Sequence, residues 1–256
     1  MFVYDIASKT TTSITTDGKK NSIINGITDW VYEEEFAFVK AFDWSADSKK
    51  IAFIRFDESE VPEFSMSIFQ KELYPKVETF KYPKAGEKNA VVSLHIYDVA
   101  SQAKKDVNLG NYSDFYIARM QWTNDANVLS AQVLNRHQDN LDLLFIDGTT
   151  AAAKVVLNEK DKAYIDVTDN LTFLKDNSFI WTSEKDGFNH IYLYDKTGKL
   201  INQVTKGNWE VTNYYGFDEK TKTIFYQSVE NGSINRDIYR IGLDGKNKVR
   251  LSSKVG

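Results

Sequence analysis

Residues 29–35 read Asp29-Trp30-Val31-Tyr32-Glu33-Glu34-Glu35 and hold the densest set of groups in the chain that could do chemistry. Three adjacent carboxylates repel one another and resist leaving water. Here they stand between Trp30 and Tyr32 on one side and Phe36, Phe38 and Phe42 on the other, a context that reads as half buried. A carboxylate withdrawn from water needs a charge or a hydrogen-bond donor to complete it, and the ammonium group of a ligand would serve. A second reading needs no ligand. With Thr28 or Asp29 as N-cap, acids in a first helical turn complement the helix dipole, and runs of charge usually form solvated faces.

Other chemistries find few residues. No G-x-S-x-G occurs, so the nucleophile elbow of an α/β-hydrolase is missing. The three histidines, His95, His137 and His190, are scattered, and His95 and His190 fall in or beside expected strands, where a structural role is the expectation. There is no H-E-x-x-H, no phosphate-binding loop and no dinucleotide fingerprint. Without cysteine, neither a disulfide nor a thiolate metal site can form, and no cofactor or metal is expected. Neighbouring glutamates cannot face each other across the roughly 5 to 9 Å that a glycosidase needs. A net charge of -4 with both signs interspersed offers no basic stripe to nucleic acid. No apolar run approaches the roughly 18 residues of a membrane span, and no leader pattern opens the chain. Its opening residues read as a strand and turn in progress, so a segment excised from a longer protein is expected.

The elements that would position the acids are strands. Aromatic residues make up 14% of the 256, and Thr, Ile and Val are common. Short apolar runs end in Asp and a turn at Asp5, Asp98, Asp147, Asp195 and Asp244, the last four being 49, 48 and 49 residues apart. A second series of paired runs precedes them: Phe42–Trp44 with Ile51–Ile54, Met120–Trp122 with Val128–Ala131, Leu171–Leu174 with Ser178–Trp181, and Tyr215–Asp218 with Thr223–Tyr226. Four strands in about 45 to 50 residues is the recipe of a β-propeller blade. Asp47-Ser48, Asp125-Ala126, Lys175-Asp176-Asn177 and Asp244-Gly245 supply turn residues where hairpins must reverse. The expectation is an all-β fold, a partial β-propeller over 1–256 of about four to five four-stranded antiparallel blades.

Residues 58–89 break the period and contain all three prolines, Pro62, Pro75 and Pro83, which suit edges and arms rather than central strands. The aromatic and aliphatic residues there, among them Phe64, Met66, Phe69, Leu73, Tyr74 and Phe80, need a surface to cover. On the residues alone, they fold back on their own blade as readily as they serve another purpose in a long loop.

The run DWVYEEE, preceded by Asn25-Gly26-Ile27-Thr28 and followed by DESEVP from Asp57, resembles the signature of the dipeptidyl peptidase IV family in the prolyl oligopeptidase clan. Tyr82-Pro83-Lys84-Ala85-Gly86, Glu184–His190 and Lys206-Gly207-Asn208-Trp209-Glu210-Val211 match family patterns in the same order. The resemblance implies an eight-bladed propeller preceding an α/β-hydrolase domain, of which this chain is the middle and later blades. It implies that Glu34 and Glu35 hold the free amino terminus of a peptide, with Glu33, Asp29, Trp30 and Tyr32 supporting them. The parent protein would then be a serine-type exopeptidase that removes dipeptides with Pro or Ala second, and this chain, lacking the Ser-Asp-His triad, would be inactive alone. Partners implied are the peptide substrate, the chain's own hydrolase domain and, through the 58–89 arm, a second copy. A bacterial periplasm or cell envelope is the expected location. The match departs at Phe38, where animal members carry a small hydroxyl residue, and near Asp166, where some place an arginine. The rival reading is a non-catalytic interaction scaffold.

Overall fold

The computed structural model describes residues 1–253. In chain order the elements are β1 (Phe2–Asp5), β2 (Thr10–Ser13), β3 (Ile23–Asn25), α1 (Trp30–Glu34), β4 (Phe42–Trp44), β5 (Lys50–Asp57), β6 (Glu63–Ile68), β7 (Lys76–Lys81), β8 (Val91–Asp98) and β9 (Lys104–Asp106). They continue with β10 (Phe115–Trp122), β11 (Val128–Asn135), β12 (Asn140–Asp147), β13 (Ala153–Lys160), β14 (Thr172–Phe173), β15 (Phe179–Ser183), β16 (His190–Tyr194), β17 (Leu200–Gln203), β18 (Val211–Asp218), β19 (Thr223–Ser228), β20 (Asp237–Gly242) and β21 (Val249–Arg250).

Consecutive strands pair into separate sheets in the orders β10-β11-β12-β13, β14-β15-β16-β17 and β18-β19-β20-β21. An earlier sheet runs β3-β5-β8-β9 with β4 also on β5, while β1 pairs β2 and β6 pairs β7. The paired runs expected from the sequence are thus the hairpins β4/β5, β10/β11, β14/β15 and β18/β19. Central strands such as β15 and β16 are buried along their whole length, which is why they read as unbroken apolar runs.

The repeated Asp has one physical task. In each case its carboxylate accepts backbone N–H groups of the turn that follows: Ser8 on Asp5 at 2.6 Å, Ser101 on Asp98 at 2.8 Å, Thr149 on Asp147 at 2.8 Å, Thr197 on Asp195 at 2.8 Å and Lys246 on Asp244 at 3.0 Å. An Asx turn of this kind replaces the ladder bonds that the chain gives up as it reverses. Those bonds hold the carboxyls of Asp5, Asp98 and Asp147 below their ordinary range, and at Asp195 the Thr197 hydroxyl does so first with the turn N–H groups adding to it.

The chain divides into two compact units, residues 1–122, 126–137 and 144–154 in one, and 123–125, 138–143 and those from 155 onward in the other. In the first, Ile14, Ile51, Phe53 and Tyr97 form a core cluster against which Val3, Phe42 and Val99 pack. In the second, Leu174, Ile180, Ile191, Leu193, Val204, Val211, Ile224 and Tyr226 do so, joined by Tyr239 and Ile241. His190 is fully buried there: Nε2 donates to the Gly207 carbonyl at 3.0 Å, Nδ1 accepts from the Thr205 hydroxyl at 3.1 Å, and the ring meets Trp209 edge-on. His95 lies between Ser93 and Asp106 and stacks on Phe53. Both rings are held by groups of the fold itself.

β6 and β7 pair only with each other, with Pro62 and Pro75 just before the two strands and Pro83 just after. At the root, Tyr82 lies 4.2 Å from Trp30 and 5.5 Å from Phe64. At the tip, Phe69 is 78% exposed and Leu73 89%. The root of the hairpin thus packs against its own unit, and its tip stands in solvent.

Candidate functional site

Helix α1 is a single short turn, and its position is fixed from both ends. Asp29 is the N-cap, in extended conformation, its carboxylate accepting the Tyr32 N–H at 3.1 Å. Past the helix, Ala37 takes a left-handed conformation, φ 55°, which turns the chain back. The Thr28 N–H then donates to Val39 and the Thr28 hydroxyl to Phe38, so the loop closes on its own start.

Tyr32 anchors the helix inward. It is 2% exposed, its ring contacts Phe36, Phe38, Phe56 and Tyr116, and its hydroxyl accepts the Ile117 N–H at 2.8 Å. Trp30 points to the root of the β6/β7 hairpin, its ring tilted against that of Tyr82. The aromatic residues around the acids are therefore the grip on the helix.

The acids themselves are not half buried, and that expectation is corrected. Glu33, Glu34 and Glu35 are all exposed, because the aromatic side chains turn inward while the three carboxylates leave the helix on its solvent side. The dipole reading accounts for Glu33, which is in the first turn, but not for Glu34, the last helical residue, or Glu35, the C-cap. Negative charge at a helix C-terminus faces unsatisfied carbonyls and is disfavoured. Among the described residues neither carboxylate makes an ion pair or hydrogen bond with the chain, so both are open to an external cation.

The buried acids are elsewhere. Asp29 is 7% exposed, and burial lifts its carboxyl to about 6 against the pull of its backbone hydrogen bonds. Glu58, in the run DESEVP, is 6% exposed, and burial followed by the nearby Asp29 charge raises it as well. The sequence reading had Asp29 among the supporting residues, but it missed Glu58, Tyr116, Ile117 and Tyr82, since nothing in spacing alone joins these positions to residues 29–35.

In the second unit, a cavity of about 840 Å³ is lined by the segment 157–170 together with Thr182, Ser183, Glu184, Lys185 and Tyr194. Asp166 lies on its wall. The Lys185 ammonium donates to the Tyr194 hydroxyl at 2.5 Å and sits 3.9 Å above the Tyr192 ring. Glu184 is raised by burial and by the neighbouring charges of Asp166, Glu210 and Asp161. Among the described residues no three His, Cys, Asp or Glu side chains gather as a metal would need, and no helix is long and apolar enough to cross a membrane.

Comparison with known proteins gives this geometry its context. The chain is 31% identical to a probable dipeptidyl-aminopeptidase B of Coccidioides posadasii over 96% of its own length and 30% of that protein's. It is 30% identical to dipeptidyl aminopeptidase B of Saccharomyces cerevisiae over 97% of its length and 32% of the relative's. The chain thus spans about a third of the curated relatives that it matches. Crystallographic dipeptidyl peptidase 4 of Porphyromonas gingivalis superposes with a TM-score of 0.94 at 44% identity, over 100% of this chain and 36% of that one. A putative dipeptidyl aminopeptidase IV from Bacteroides ovatus, at 24% identity, shares the fold with a TM-score of 0.79. The expected bacterial periplasmic or envelope location is corrected by these findings: the curated relatives are fungal, so the location has no support even though a bacterial structure is similar. The repeated antiparallel sheets are those of a propeller fragment. The dipeptidyl peptidase IV N-terminal region matches residues 1–256, and the chain belongs to that family.

Proposed function

We propose that this chain is the substrate-selecting propeller part of a dipeptidyl peptidase IV-like serine exopeptidase, with Glu34 and Glu35 binding the α-ammonium group of a peptide. The observation that supports this reading is the state of those two acids: adjacent, exposed, at the unfavourable end of a helix and without a cation of their own. A protonated α-amine has three N–H donors, and two carboxylates can accept most of them as charge-assisted hydrogen bonds. An amine fixed there lies at a set distance from a serine on the hydrolase domain of the parent protein, so only the second peptide bond reaches the nucleophile. The propeller's contribution is orientation and selection. Peptides with Pro or Ala second are the substrate class, the pocket for that residue lying in the hydrolase domain. The exposed hairpin tip is the surface through which two parent chains pair.

The deciding experiment is steady-state kinetics of the parent protein with Glu34→Ala and Glu35→Ala. Each is expected to lower kcat/KM on peptides with a free amino terminus by about 2 to 4 kcal/mol, roughly 30- to 1,000-fold. Unchanged kinetics would return the acids to a solvated face and favour a non-catalytic scaffold.

A further inference from the structure

We propose that Asp29 is a positioning residue for the amine-binding pair, holding α1 in place with its cap and setting a buried negative charge at the start of the helix that carries Glu34 and Glu35. The inference rests on the reading of that pair given above. Asp29 itself touches no substrate; it acts through the helix.

Capping alone does not explain a carboxylate at this position. Asn caps a helix as well as Asp and carries no charge that must be desolvated. Yet position 29 holds an ionisable group in a nearly dry setting, and among the described residues no lysine or arginine pairs with it. The groups around it deepen the negative ground. Glu58, from the end of β5, is buried within electrostatic reach. Burial first, and the Asp29 charge to a smaller extent, raise the Tyr32 and Tyr116 hydroxyls, so these neighbours stay neutral and give Asp29 no compensating positive charge. Among the described residues, the cation acting on Glu58 is Lys81, whose ammonium is already engaged by the Val61 and Ser59 carbonyls and by Glu63.

A helix rises about 1.5 Å per residue, which puts the Glu34 and Glu35 positions roughly 8 to 9 Å along the axis from the cap. That is comparable to the screening length in physiological salt, and a buried charge is screened less than an exposed one. The buried carboxylate at the helix N-cap therefore adds to the attraction for an ammonium at the helix's far end. Because Asp29 takes up a proton near pH 6, this contribution fades in mildly acidic solution.

The test is the kinetics of the full parent protein on glycyl-prolyl-p-nitroanilide from pH 5 to 7, where the substrate amine stays protonated. Asp29→Asn keeps the cap and removes the charge. It is expected to raise KM three- to tenfold at pH 7 with kcat held within twofold, and to abolish the rise in KM that the wild type shows as pH falls below 6. A merely structural role would leave the isosteric variant indistinguishable from wild type, and a KM matching wild type at every pH overturns the proposal. Asp29→Ala removes the cap as well and raises KM further; if it fails to fold, Asp29→Asn still decides. Glu34→Gln and Glu35→Gln run alongside separate the two levels. If they are harmless the amine-site reading itself falls, whereas strong effects there with a silent Asp29→Asn remove only this inference.

Discussion

The Tyr32 hydroxyl accepts the backbone N–H of Ile117 at 2.8 Å, so a side chain of the acidic helix is bonded to a strand 85 residues further along the chain. Both groups are buried, and removing the acceptor leaves a donor with no water to turn to. Tyr32→Phe keeps the ring contacts and is expected to lower unfolding stability by about 1 to 3 kcal/mol in urea titrations. The loss should also appear as a higher KM for free-amine peptides in the parent protein.

Asp29 sets a pH dependence whose sign is opposite to that of an ordinary surface acid. Its carboxyl is raised to about 6, so between about pH 4 and 6 the native state keeps a proton that the unfolded chain has released. Stability therefore falls as pH rises through that window. Asp29→Asn should be the more stable protein above pH 6.5, by on the order of 1 to 3 kcal/mol, and should converge with wild type below pH 4. Urea midpoints across that range check it; a variant less stable at pH 7 would mean that the charge has an unseen stabilising partner.

The strand-ending aspartates titrate the other way. Turn N–H groups hold Asp98 and Asp147 below their ordinary range, and at Asp195 the Thr197 hydroxyl does so first and the turn N–H groups next, so their contribution is present above the unfolded carboxylate value and is lost as pH falls through the lower, folded one. Asp147→Ala and Asp195→Ala are each expected to lower Tm by a few degrees at pH 7 and to make little difference at pH 2.5. Asn in either place should recover most of the loss, because its amide oxygen accepts the same bonds.

Gly198 is required by space as well as by angle. Its φ is 89°, and a Cβ there would run into the backbone carbonyl of Val156. Gly198→Ala is expected to destabilise the second unit by about 2 kcal/mol or more, whereas Gly86→Ala, where φ is 85° but the surroundings are open, should show only the smaller backbone strain.

The hairpin tip carries the pairing proposal. Replacing Phe69 and Leu73 by Glu leaves the β6/β7 register intact, since both lie beyond its paired residues. In the parent protein the double variant is expected to shift light scattering from dimer toward monomer with the fold unchanged by circular dichroism. An unshifted dimer would assign the exposed tip to another surface.

The sequence by itself determined the strands, their period and the turn chemistry, because side-chain alternation, apolar runs and Asx turns act over a few neighbouring residues. It also drew attention to the acidic run 33–35, since such a run set among aromatics is anomalous at the level of local composition, while only the family resemblance singled out Glu34 and Glu35 within it. Which acids are dry and which are wet was decided only by the tertiary structure. Burial is a property of everything packed around a group, and here the aromatics between the acids turn inward to Tyr116 and Phe56, leaving the glutamates in water. The desolvation expected at the run falls instead on Asp29 and Glu58, which are 29 residues apart and meet only because β5 brings the end of one loop against the start of another.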